Sequence, residues 1–157
     1  MEKLYRHILV PLDGSKLAEA ALKHALPIAR SNGAEVTFLQ AIWPFVRGKK
    51  GKRVTEMERT LKTEALHYMK GIAGQPEWKG LKVRTEVKFG LAENVIIDYA
   101  CSKSVDLIVL STHGRTGLKR WVFGSVAEKV LRGAAQTVLL VRSFAKRGKQ
   151  WSGSKTK

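Results

Sequence analysis

Short apolar runs alternate with amphipathic segments along the chain, and this order constrains the fold more than any other feature. The apolar runs cover residues 6–13, 35–43, 81–90, 105–111 and 137–142, and their β-branched and aromatic content is typical of strands. Between them, apolar residues recur every three or four positions, as in helices that bury one face. Consecutive strands separated by a helix run parallel, with right-handed crossovers. The sequence therefore predicts an α/β fold, an open five-stranded parallel sheet with helices on both faces.

Several boundaries can be predicted from local signals. Ser15 is placed to cap the first helix, and Asn32-Gly33 is placed to end it. The second helix is expected from Thr55 onwards. Residues 81–90 alternate apolar and charged side chains, which predicts a strand that is half exposed or near an edge of the sheet.

The composition is that of one globular domain. The chain has 157 residues, of which 44% are hydrophobic and 27% are charged, and no apolar run approaches the ~18 residues of a membrane span. The charged residues before the first strand are unlike a secretory signal. A single cysteine, Cys101, excludes an internal disulfide and any cysteine-cluster metal site. We therefore expect a cytoplasmic protein in which Cys101 is a small packed residue.

The basic residues are unevenly distributed. The net charge is +16, and residues 47–53 and 144–157 each hold five basic side chains and no acid. Such segments attract nucleic acid or anionic membrane surfaces through a Coulomb term, which predicts weak binding to anionic surfaces. Solvated loops that keep the protein soluble explain them equally well. We expect a domain over residues 1–143 and a basic, flexible tail over 144–157.

Two loops follow strands that the fold can bring together. In open parallel sheets, ligands bind beyond the carboxyl ends of the strands, where the strand order reverses. Asp13 ends the first strand, and its carboxylate can accept hydrogen bonds from an amino group or a ribose hydroxyl. A purely structural role, in which Asp13 and Ser15 cap the first helix, explains the same residues. If the first and fourth strands are neighbours, the loops after them face one crevice.

The loop after the fourth strand, residues 111–123, is longer than the roughly two to six residues that such connections need. It leads into Gly124-Ser125 at the start of a helix, whose first amides can bind a phosphate group. Ser125 and Glu128 also have the spacing of a capping box, which explains them without a ligand. The chain contains neither a P-loop nor the glycine pattern of a standard dinucleotide fold.

Taken together, these residues resemble the universal stress protein family from about Tyr5 to Arg142. The similarity is carried by "ILVPLDGS", by "DLIVLSTHGRTGLKRWVFGSVAEKVL" and by the closing "TVLLVR". Nucleotide-binding members carry Gly-x-x-Gly, nine residues, and then Gly-Ser or Gly-Thr. In this chain nine residues also separate Gly114 from Gly124-Ser125, but Ser111 occupies the position of the first glycine of the motif. The serine can crowd a ligand with its Cβ or donate its hydroxyl to it.

The resemblance implies a Rossmann-like, adenine-nucleotide alpha-hydrolase-like sheet of strand order 3-2-1-4-5. It also implies ATP as the ligand, with Mg²⁺ or Mn²⁺ as a possible companion of the triphosphate. Eleven positions match the family's nucleotide contacts and are predicted to bind the cofactor: Pro11, Leu12, Asp13, Ala41, Leu110, Ser111, Gly114, Arg115, Gly124, Ser125 and Val126.

The family further implies a homodimer, formed through the strand Thr137–Arg142, that regulates the stress response through an unknown protein partner. Burial within one subunit explains Val138 and Leu140 equally well. Because His113 has no acid nearby in sequence, we expect no dedicated catalysis, and at most weak ATP hydrolysis. There are two alternatives. One is a slow ATPase or other nucleotide hydrolase on the same fold, and the other is a basic adaptor that binds nucleic acid or an anionic surface without nucleotide.

Overall fold

The computed structural model describes residues 3–43, 52–113 and 123–143. Predictions for Gly114, Arg115, the basic residues 47–51 and the tail 144–157 lie outside these ranges.

The described residues form a five-stranded parallel sheet between two layers of helices. Its strands lie in the order β3-β2-β1-β4-β5, which confirms the predicted class and strand order. The elements are β1 (His7–Leu12), α1 (Leu22–Asn32), β2 (Glu35–Ile42), α2 (Lys52–Ala73), β3 (Val83–Phe89), α3 (Ala92–Ser102), β4 (Leu107–Ser111), α4 (Ser125–Gly133) and β5 (Thr137–Val141).

The centre of the sheet is apolar on both faces. Phe38 on β2 and Val109 on β4 belong to one core, which also takes in Ala25 of α1 and Met69 of α2. The second core, on the opposite face, is formed by side chains of β1, β2 and β4 together with α3 and α4. Because strand residues alternate between faces, near-continuous apolar strands are what a doubly covered sheet requires. β3 lies at an edge, which confirms the prediction made from its alternating pattern.

The first helical segment begins and ends at the predicted signals. Ser15 Oγ accepts a hydrogen bond from the Ala18 amide at 3.1 Å, and a 3-10 turn over Ala18–Ala21 leads into α1. At the other end, Gly33 takes a left-handed conformation with φ of 59°, which costs glycine little.

Cys101 is exposed, so the expectation that it would be packed is wrong. It lies on α3, and its neighbour Ala100 is the residue that packs into the core. Helical periodicity therefore turns Cys101 away from the sheet.

Candidate functional site

A cleft opens at the carboxyl ends of the strands. It lies where the order reverses between β1 and its neighbours β2 and β4, and the first turns of α3 and α4 close it. Its volume is about 260 Å³. This is the position at which open α/β sheets bind their ligands. The cleft is a consequence of the strand order, because the loops that follow the strands on either side of the reversal diverge and leave a space between them.

Nine of the eleven predicted cofactor-binding residues line this one cleft, and the other two, Gly114 and Arg115, lie outside the described residues. The nine are Pro11, Leu12, Asp13, Ala41, Leu110, Ser111, Gly124, Ser125 and Val126. Residues that are up to 115 positions apart in sequence therefore meet at a single surface.

Seven further residues line the cleft: Ala18, Leu39, Ala92, Ile96, Thr112, His113 and Ala127. The position of Leu39 in the cleft could have been predicted from the sequence, because Leu39 lies two positions before Ala41 and therefore on the same face of β2. No comparable signal exists for Ala92 and Ile96, because the packing of α3 against the sheet brings them there.

The walls differ in character from one end of the cleft to the other. Leu39, Ala41 and Ile96 form an apolar slot beneath α3, which suits a flat heterocyclic ring. Ser125 adds a hydroxyl group at the start of α4. The cleft can thus hold a ligand with one apolar part and one polar or anionic part.

Asp13 has a structural role as well as a position in the cleft. Its Oδ1 accepts hydrogen bonds from the Ser15 amide at 2.9 Å and from Ser15 Oγ at 2.6 Å. This turn holds Ser15 where it caps the Ala18 amide. The capping interpretation is therefore confirmed, and the same turn fixes Asp13 at the wall of the cleft.

The N-terminus of α4 has no side-chain cap. Gly124 is the N-cap residue, and Ser125 is already the first residue of the helix. Glu128 forms an ion pair with Arg132 at 2.9 Å instead of bonding back to the start of the helix. The capping-box interpretation is therefore wrong. Among the described residues, the amides of the first turn have no side-chain acceptor, and they lie at the positive end of the helix dipole.

Gly124 fits the site because of its contact with Thr112. The Gly124 amide donates to the Thr112 carbonyl at 2.8 Å, and a Cβ on Gly124 would lie 3.0 Å from that oxygen. The φ of Gly124 is −59°, which any residue adopts. The requirement for glycine is therefore steric, and it fixes the distance between the β4 turn and α4.

Ser111, which replaces the first motif glycine, is accommodated as the last residue of β4. The only positive φ among the described non-glycine residues belongs to Ser104, so Ser111 is not in a strained conformation. Its Oγ donates to the His113 carbonyl at 2.8 Å and lies 2.5 Å from Ser143 Oγ. The hydroxyl is thus engaged within the protein.

The first turn of α3 carries a buried carboxylate. Glu93 accepts a hydrogen bond from Lys129 Nζ of α4 at 2.6 Å. This bond, together with one from its own amide, holds the pKa of Glu93 below its ordinary value. The positive end of the α3 dipole is therefore compensated within the protein.

The described residues contain no group of three or more His, Cys, Asp or Glu side chains that could hold a metal ion. None of the helices in the described ranges has the length and apolarity needed to cross a membrane.

The chain is similar to proteins of one family over nearly its whole length. The model of the universal stress protein family matches residues 4–142. Universal stress protein MJ0531 of Methanocaldococcus jannaschii is 39% identical over 144 residues, which cover 90% of this chain and 84% of the relative.

Solved structures of the same family share the fold. The structure of MJ0577, a universal stress protein of the same organism, has a TM-score of 0.78 at 30% identity and covers 91% of this chain and 99% of its own. A universal stress protein of Archaeoglobus fulgidus in complex with dAMP has a TM-score of 0.59 at 21% identity and covers 87% of this chain and 98% of its own.

Proposed function

The chain belongs to the universal stress protein family, and from that premise we propose that it is an ATP-binding regulator of the stress response. In this proposal it acts in the cytoplasm as a homodimer. ATP binding changes how it contacts a regulatory protein, and no dedicated catalytic step is required.

The observation that carries the proposal is the pairing of an apolar slot with an uncapped helix N-terminus in one cleft. The slot at Leu39, Ala41 and Ile96 suits adenine, and the amides that follow Gly124 suit phosphate oxygens. Asp13 lines the same cleft and would accept hydrogen bonds from the ribose hydroxyls. An adenine nucleotide has these three parts.

A fold of this kind holds an adenine nucleotide in the A. fulgidus protein, which was solved with dAMP. That likeness supports the class of ligand. The choice of ATP rests on the spacing between Gly114 and Gly124-Ser125, which matches the nucleotide-binding motif of the family.

A divalent cation would depend on the nucleotide. Asp13 is the sole carboxylate among the described residues that line the cleft, and its Oδ1 already accepts two hydrogen bonds from Ser15. Mg²⁺ or Mn²⁺ would therefore be held mainly by the triphosphate oxygens. The chain would contribute Asp13 at most.

The proposal can be tested by mass spectrometry of the protein purified under native conditions. We expect ATP or ADP in the extract of the wild-type chain and its loss from Gly124→Val, which is purified in parallel. Recovery of equal nucleotide from both proteins would place the ligand elsewhere. Absence of nucleotide from both, together with no binding of added ATP, would contradict the proposal.

The homodimer is tested separately. β5 is an edge strand whose Val138, Leu139 and Leu140 are only half buried, and pairing with a second copy would complete it. We expect sedimentation at twice the 17.5 kDa of one chain, and dissociation in Leu140→Lys. Phe89→Lys, on the opposite edge strand, should remain dimeric. A monomeric wild-type protein would contradict this part of the proposal.

A further inference from the structure

Two buried serines connect the end of β5 to the turn that follows β4. Ser143 lies two residues after Val141, the last residue of β5. It is 7% exposed, and Ser111 is 6% exposed. Their hydroxyl oxygens lie 2.5 Å apart, and Ser111 Oγ donates to the His113 carbonyl at 2.8 Å. Ser143 can donate to Ser111 while Ser111 donates to His113, so both buried hydroxyls are satisfied.

The same turn positions the start of α4. The Thr112 amide donates to the Val141 carbonyl of β5 at 2.9 Å, and the Thr112 carbonyl accepts the Gly124 amide at 2.8 Å. A continuous series of hydrogen bonds therefore runs from the end of β5, through residues 111–113, to the N-cap of α4. Any shift of the turn moves the first amides of α4 with it.

The serine pair adds a restraint that the backbone bonds do not supply. Backbone bonds hold Thr112 on both sides, whereas the His113 carbonyl is held by the Ser111 hydroxyl. A glycine at position 111, as in the family motif, has no hydroxyl group and would not form this hydrogen bond. Buried hydroxyl pairs are tolerated only when they are fully bonded, so Ser111 and Ser143 depend on each other.

We propose that Ser143 is a positioning residue for the phosphate side of the nucleotide site, acting through Ser111 and the 111–113 turn. It contacts no ligand. The inference rests on the proposed function, because it concerns how well the α4 amides are placed for phosphate. The apolar slot at Leu39, Ala41 and Ile96 is on the far side of the cleft and should not be affected.

The test compares Ser143→Ala with wild type for two ligands. We expect the Kd for ATP to rise roughly threefold to tenfold, the size of one lost hydrogen bond, while the Kd for adenosine, which has no phosphate, is unchanged. In a Ser111→Gly background, Ser143→Ala should add a smaller loss than in wild type, because the Ser111 hydroxyl is already missing and only the longer 3.5 Å contact of Ser143 Oγ with the His113 carbonyl remains. Ser102→Ala is the matched control, since Ser102 bonds only the Tyr99 carbonyl on α3.

Three results would overturn the inference. The first is an unchanged ATP Kd in Ser143→Ala, and the second is an equal loss for adenosine, which would indicate general destabilisation. The third is read in nucleotide-free protein: hydrogen exchange of the Gly124 amide should be faster in Ser143→Ala, and unchanged exchange rejects the positioning role. Because this last readout needs no ligand, it separates failure of the inference from failure of the proposed function.

Discussion

At the scale of single residues, the site depends on one close approach of two backbones. The Gly124 amide lies 2.8 Å from the Thr112 carbonyl, and a Cβ at position 124 would lie 3.0 Å from that oxygen, so a side chain there would require the turn to shift. The distance between the β4 turn and the first amides of α4 is thus set by the absence of a Cβ. A ligand phosphate bound at these amides is sensitive to that distance.

Gly124→Val is therefore expected to lower ATP affinity at least tenfold. The valine side chain meets the Thr112 carbonyl and pushes α4 away from the turn, so the phosphate loses well-directed amides. The measurement is the rise in Tm on adding ATP, which should be large for wild type and nearly absent for the variant.

Gly71→Ala is the matched control. Gly71 lies in α2, and nothing within 4 Å would touch an added Cβ, so the variant should gain about 0.5–1 kcal/mol of stability from helix propensity. Its Tm shift with ATP should equal that of wild type. An ATP-induced shift in Gly124→Val as large as that of Gly71→Ala would contradict the role assigned to Gly124.

The sequence predicted which residues meet in the cleft better than it predicted how each one acts. Ser125 and Glu128 have the spacing of a capping box, but the helix starts at Ser125, one residue earlier than that motif needs. Glu128 also has a competing partner one turn on, Arg132. The Ser111 hydroxyl can serve a ligand or the protein, and its contacts with the His113 carbonyl and with Ser143, 32 residues away, show that it serves the protein. Pairings of this kind carry no local pattern.

At the scale of secondary-structure elements, α3 and α4 form a parallel pair that closes the cleft. Glu93 contacts Lys129, and one turn further along both helices Ile97 lies where a Cβ on Gly133 would be 2.8 Å from its Cδ1. Because these two contacts occur in the same order along α3 and α4, the helices run parallel and their N-termini point to the same edge of the sheet. Glu93 compensates one of them, which leaves the N-terminus of α4 as the end that we propose binds the phosphates.

Glu93→Gln is expected to lower the free energy of unfolding by about 1 kcal/mol near pH 7, a modest value because Lys129 is exposed. The pKa of Glu93 is lowered in the folded protein, so its stabilising effect is present above the unfolded pKa and is lost as pH falls through the folded one. The difference between wild type and variant should therefore shrink from about pH 5 downward. Urea unfolding at a series of pH values measures it.

Glu128→Gln provides the comparison within α4. Glu128 and Arg132 form an exposed pair four residues apart, and such pairs contribute about 0.3–0.5 kcal/mol. If Glu128→Gln lowered the free energy of unfolding as much as Glu93→Gln does, with the same dependence on pH, then the burial of Glu93 would not be the cause of its larger stabilising effect.

The elements themselves were largely predictable, because each depends on a local pattern. All five strands were expected within two residues of their observed ends, and α4 was expected to start at Ser125, as it does. The exposure of Cys101 was not predicted, since a short apolar residue near a helix end gives no sign of which face it occupies.

At the scale of the whole molecule, we expect the strongly basic segments and the proposed nucleotide site to act independently. The net charge is +16, and ten of the basic residues lie in segments 47–53 and 144–157. The lining of the cleft, as far as it is described, contains no lysine or arginine. We therefore expect the two segments to act on anionic surfaces and the cleft to act on the nucleotide.

Removing residues 144–157 and replacing the five basic residues of 47–53 with serine should weaken binding to vesicles rich in anionic lipid, and most strongly at low salt. Cosedimentation at two salt concentrations measures this effect. The ATP affinity of the same variant should stay within about twofold of wild type. If the variant lost both vesicle binding and affinity for ATP, the basic segments would belong to the nucleotide site.

The central claim is that the cleft between β1, β4 and α4 binds ATP. Calorimetric titration of the nucleotide-free wild-type chain with ATP tests it most directly. We expect saturable binding of ATP with one site per chain, and weaker binding of adenosine because it cannot use the α4 amides. Titration to millimolar ATP without saturable binding would show that the cleft is not an ATP site.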